Sequence, residues 1–254
     1  MIRAEKPGGA VALVTLDDPK IRNAMTAENR AELRATLDAL AIDRDIHAVV
    51  LTGAGGHFCA GGDVRTMGET DTAKIDERMG DVARTAEQLA AFPKPVIAAV
   101  SGHAAGAGVS LACLADMVIA DETAQFTFSF LKLALGPDWG LSCTLARRVG
   151  GTAAKRLILS RATIDGAEAY RLGLADEVTG KGKALERALD VAGSLAGGPQ
   201  AAIKAIKTQL SGLDELRAAL AAEADQQRER FPHGEHQEGA AAFREKRTPD
   251  YSGK

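Results

Sequence analysis

Cysteine is scarce in this chain: three in 254 residues, an odd number with no C-x-x-C pair. That argues against a disulfide-stapled secreted fold, and a reducing, cytoplasmic setting is expected. Positive charge is not in excess either, with 31 Lys and Arg against 34 Asp and Glu and a net charge of −3. No overall field draws such a chain onto nucleic acid or acidic lipid, so any anion site must be local. Long apolar runs are missing too: the most lipid-like stretch, residues 96–120, is broken by glycines, His103 and Asp116. The opening MIRAEKPGGAVALVTL lacks the apolar core and cleavage site of a signal peptide. Neither a membrane nor a nucleic acid is expected as a partner. Zinc-type Cys/His spacing, H-E-x-x-H, G-x-G-x-x-G and P-loop patterns are all absent, and no metal is expected.

What the chain does contain is a set of short Val/Ile/Leu runs at 11–16, 48–52, 96–100 and 117–120, without period-2 alternation. Such runs suit parallel strands covered on both faces. Helical patterns lie between them: 27–42, with Thr26 as N-cap and Leu33, Leu37, Leu40 and Ala41 on one stripe, and 76–91, ended by Phe92-Pro93. The fold class is therefore α/β. After residue 182 the strand signal stops, and helices are expected at 183–196, 200–211, 213–230 and 235–246. Two regions follow, an α/β region over 1–182 and a helical one over 183–254. The second is too poor in apolar residues for a free-standing core, so it must lie on the body or on another subunit.

Three loops could hold chemistry. The first, His57 to Asp63, is glycine-rich and free to aim main-chain amides at a ligand, although taken alone such a segment reads first as a turn between core elements. The second, Ser101 to Gly108, opens a short helix whose first N–H groups are unpaired and carry partial positive charge. The third, Leu133 to Ser142, sets Asp138 among Leu, Pro and the only tryptophan. Such surroundings strip water from a carboxylate and make it a stronger base; the alternative is a turn residue or the cap of the helix near Ser142. Cys59 reads as a small buried thiol, His57 and His103 as surface or capping groups beside the loops, and His233 and His236 as solvated.

Five segments, in order, resemble the enoyl-CoA hydratase/isomerase, or crotonase, superfamily. They are Arg22-Asn23-Ala24-Met25, His57 to Asp63, Lys94 to Gly108, Gly136-Pro137-Asp138 and Ala242 to Arg247. The resemblance implies a spiral of ββα units carrying acyl-CoA binding and catalysis, with a C-terminal helical subdomain that forms a homotrimer or a hexamer. It implies an acyl-CoA substrate, with coenzyme A as part of the thioester and no prosthetic group. It places the thioester oxygen between the amides of Ala60 and Ala107. It runs the coenzyme past Arg22, Ala24, Gly61, Gly62, Asp63 and Val64, with Phe243 and Lys246 reaching a neighbour's coenzyme. Hydratases of the family use two glutamates where this chain has Ser110 and Phe130, neither of which replaces a carboxylate. Asp138 stands where isomerase and dehalogenase branches carry a single aspartate. The resemblance thus implies double-bond isomerisation, with hydration, another crotonase-type lyase or hydrolase reaction, or acyl-CoA binding without turnover as the alternatives.

Overall fold

The computed structural model describes residues 1–253. The chain begins with the hairpin β1 (Ile2–Gly8) and β2 (Val11–Leu16), followed by α1 (Ala27–Ile42), β3 (Ala48–Gly53) and α2 (Thr72–Ala90). Next come β4 (Val96–Val100), β5 (His103–Ala105), α3 (Ala107–Leu114), β6 (Met117–Asp121) and β7 (Gln125–Thr127). A helical pair, α4 (Leu141–Val149) and α5 (Gly151–Leu159), precedes β8 (Thr163–Asp165), α6 (Gly166–Leu172) and β9 (Glu177–Thr179). Four helices close the chain: α7 (Ala184–Ala196), α8 (Gln200–Leu210), α9 (Leu213–Arg230) and α10 (Gly234–Glu245).

One six-stranded sheet runs β1-β2-β3-β4-β6-β9 and is parallel except for the β1/β2 hairpin; β5, β7 and β8 form a second, three-stranded sheet. The apolar runs are strands because both faces are covered. Val49, Leu51, Ala98 and Val100 face the main core with α1 and α2, while Ala48, Val50, Ile97 and Ala99 face the other way. There they meet Ala184, Ala188, Ala192 and Ala196 of α7, whose methyl-sized side chains at every fourth position let the helix axis approach the sheet closely. The helices after residue 182 thus lie on the α/β body, as their thin apolar content requires, with α9 against α2 and α4.

The N-cap of α1 is Thr26, whose Oγ1 accepts from Asn29 N at 3.1 Å, and Leu33, Leu37 and Leu40 are buried as the stripe predicts. Helix α2 starts a turn earlier than its apolar pattern, because Asp71 caps it. Strand β1 carries no apolar signal, being exposed along nearly its whole length as an edge strand. No helix of the described residues is long and apolar enough to cross a membrane.

Candidate active site

The first two loops are bound to each other. Cys59 N donates to His103 O at 3.0 Å and Ala105 N to Cys59 O at 2.9 Å. Glycine is required at both contacts. A Cβ on Gly108 would lie 2.2 Å from Cys59 O, and one on Gly61, at φ +109, would lie 2.9 Å from Ala105 O and 3.8 Å from Ala107 N. Loop one is therefore seated against the start of α3.

That seating decides which amides are available. Ala107 is the first residue of α3, and its N–H meets no acceptor among the described residues. Ala60 is different: its N–H donates to Arg22 O at 2.9 Å, so the expectation that Ala60 offers a free donor is corrected. Arg22 sits in the left-handed region, at φ 48, which turns its carbonyl toward loop one. Two residues further on, Gly62 N–H has no acceptor among the described residues, and it is a free amide at the glycine-rich end of this loop.

Asn23 explains why loop one holds its shape. It is buried, and its Nδ2 donates to Ala54 O at 2.9 Å and His57 O at 2.7 Å while its Oδ1 accepts from Asp18 N. Asn23→Ala leaves these carbonyls and an amide without partners, and an unfolding midpoint lowered by ~2 to 3 kcal/mol of stability is expected in denaturant titration.

Asp138 lies in the third loop, half-buried, between Pro137 and the buried Trp139. It does not cap α4. Gly140 is the N-cap residue, and the exposed helix amides are met from α9, where Glu223 Oε2 accepts from Gly140 N at 2.7 Å and Oε1 from Ser142 N at 2.9 Å. Gln227 Nε2 holds Gly136 O at 3.0 Å, and Ser110 Oγ donates to the main-chain oxygen of Asp138 at 3.1 Å. The loop backbone is thus fixed on both sides of the acid while its carboxylate meets no hydrogen-bonding side chain among the described residues. Desolvation pushes the Asp138 pKa up to about 6, with the positive fields of Arg78 and Arg30 opposing the rise. Burial likewise raises Glu223 to about 7, but both its oxygens are occupied by amides.

The remaining expected residues are distributed as follows. Arg22 is exposed; Ala24 is buried and its carbonyl accepts from Asn29 Nδ2 at 2.8 Å. Asp63 caps a short turn and pairs with Arg65 at 2.9 Å, and Val64 beside it is exposed. Phe243 and Lys246 lie exposed at the end of α10, away from the loop cluster except through Arg244, which donates to Met67 O at 3.0 Å. Ser110 and Phe130 are both buried, and Phe130 lies beside Gly106. Cys59 is a buried thiol pushed up to about 12. His57 and His103 stack at 4.9 Å on a separate cavity with Asp121 and Thr123.

Several residues escape sequence reasoning. His236 is not solvated but fully buried: its Nδ1 contacts Leu133 O at 2.7 Å and its Nε2 accepts from Gly68 N, joining the segment after the first loop to the third loop, with burial lowering its pKa. Arg78, Glu223 and Gln227 carry no sequence signal that singles them out, yet tertiary contacts turn them inward. The one available signal was the 223/227 spacing, which puts both polar groups on one face of α9.

A family model described as enoyl-CoA hydratase/isomerase matches residues 6–254. A 2,3-dehydroadipyl-CoA hydratase of Escherichia coli K12 is 38% identical over 250 residues, covering 96% of each chain. The crystal structure of an enoyl-CoA hydratase from Mycobacterium avium subsp. paratuberculosis superposes with TM-score 0.89 at 31% identity, over 99% of this chain and 98% of the other. That of an enoyl-CoA hydratase from Bacillus halodurans gives TM-score 0.89 at 25% identity, over 95% and 99%.

Proposed function

The chain belongs to the enoyl-CoA hydratase/isomerase family, and from that premise we propose that it moves a carbon–carbon double bond within an unsaturated acyl-CoA. The observation that carries this reading is the desolvated carboxylate of Asp138, which meets no hydrogen-bonding side chain, in a molecule that also offers two free amides, while the other desolvated acid, Glu223, is held by main-chain amides. The N–H groups of Gly62 and Ala107 hold the thioester oxygen. Asp138 removes a proton from C2 of a 3-enoyl thioester, the electron pair left there delocalises through C1 onto that oxygen and through the C3–C4 double bond onto C4, and the same carboxyl returns the proton at C4 as the double bond re-forms between C2 and C3. The 2-enoyl thioester results. Each amide meets charge that develops only as the proton leaves, and such donors contribute about 3 to 4 kcal/mol apiece to lowering the barrier.

Relatives named hydratases favour the alternative of water addition. Against it stand Ser110, whose hydroxyl is bonded to main-chain oxygens of Gly106 and Asp138, and Phe130, which exchanges no proton. No prosthetic group is needed, since coenzyme A enters with the substrate, past Ala24, Gly61, Asp63 and Val64. A trimer or hexamer fits the exposed apolar side chains of Ile206, Leu210 and Phe243 on the closing helices. Phe243 and Lys246 would then reach a neighbour's coenzyme.

The test is the pH profile of kcat/KM for a 3-enoyl-CoA. The base must be ionised, so the rate is expected to fall tenfold per unit below about pH 6, the pKa of Asp138, and to be level above it. A limb near pH 4 contradicts a desolvated base.

A further inference from the structure

A cavity of about 760 Å³ opens between α1, the segment after Asp63, α2 and Phe231. Its wall carries more cationic than acidic side chains, in a chain whose net charge is −3. One acid, Asp81, serves three arginines, Arg30 at 2.5 Å, Arg34 at 2.6 Å and Arg84 at 3.4 Å. Asp63 is held by Arg65 and Glu69 by Lys74. Arg78 forms no salt bridge among the described residues, although the charges of Asp138 and Asp63 act on it from a distance: Nη1 donates to Thr66 Oγ1 at 2.7 Å and the guanidinium lies 5.1 Å from the centre of the Phe231 ring. Its other donors are unused. Nη2 is also 3.4 Å from the place a Cβ on Gly62 would take, which brings the charge beside a free amide of loop one. Asp138 and Asp63 offset part of the cost of taking this cation from water, and the donors left unused can be met by an arriving anion.

We propose that Arg78 receives a carboxylate borne by the acyl chain, so that preferred substrates are coenzyme A thioesters of dicarboxylic acids. The inference rests on the acyl-CoA reading above. An anion at Arg78 would lie close to a thioester oxygen held at Gly62, since Nη2 is 3.4 Å from the place a Cβ on Gly62 would take. The planar guanidinium fork suits a carboxylate, and three or more N–H donors remain to grip it.

Binding of two saturated esters of equal chain length, adipyl-CoA and hexanoyl-CoA, measured calorimetrically at pH 8, tests this without turnover. Wild type is expected to bind adipyl-CoA about 10- to 100-fold more tightly, the range of a charge-assisted hydrogen bond. Arg78→Met, checked for a native circular dichroism spectrum, is expected to bring the ratio to one or below, and Arg78→Lys to keep part of the preference. Equal wild-type affinities, or a preference that survives Arg78→Met, overturn the proposal while leaving the acyl-CoA reading intact. A role for Arg78 on the coenzyme phosphates also overturns it, since both esters would weaken together. If neither ester binds wild type, the acyl-CoA reading falls and the proposal with it.

Discussion

Asp138→Asn is expected to lower kcat for double-bond migration by ~10²- to 10⁴-fold, the contribution of a positioned acid–base group. The substitution keeps the shape of the side chain and removes only its ability to take a proton. The protein should not suffer for it. Because burial holds the folded pKa near 6, above that of an exposed aspartate, the stability this group contributes is present at low pH and lost as pH rises through about 6. Above that pH the ionised acid is a cost that asparagine lacks, so the melting temperature at pH 8 should equal or exceed that of wild type. Thermal melting and steady-state kinetics on one preparation check both halves. A variant that loses activity together with stability would point to a structural role for Asp138.

Ala107→Pro is expected to lower kcat by ~10²- to 10³-fold, the effect of deleting one oxyanion donor. Proline removes the N–H but suits the first helical position, where the amide has no intrahelical acceptor. Gly106 before it, at φ 50 and ψ −116, has no Cβ to collide with the proline ring. Helix α3 should therefore persist. Ala107→Gly, which keeps the amide, should stay within a few-fold of wild type. Equal activity in the proline and glycine variants would show that this amide holds no developing charge.

The parts of this site that were legible in advance are those set by local pattern. Thr26 announced α1, Phe92-Pro93 the end of α2, and the glycine punctuation at 197–198 and 212 the limits of α8 and α9. Asp138 was legible because its neighbours are apolar. Which amide of loop one is free was not, since it depends on whether Arg22 O, twenty or more residues away from the motif's glycines, folds back onto Ala60 or Gly62. The same holds for Glu223, Gln227 and His236. Each is an ordinary polar helix residue until a loop from another part of the chain presents an unpaired amide or carbonyl to it. Strand β1 escaped for the opposite reason: as an exposed edge it needs backbone pairing rather than apolar side chains.

The most direct measurement supplies a 3-enoyl-CoA and a 2-enoyl-CoA separately to wild type and to Asp138→Asn and follows the products by chromatography. One desolvated acid working with two main-chain amides predicts rapid conversion of the 3-enoyl to the 2-enoyl ester by wild type, little 3-hydroxyacyl-CoA from either, and loss of conversion in the variant. Rapid hydration of the 2-enoyl ester by both proteins would contradict it.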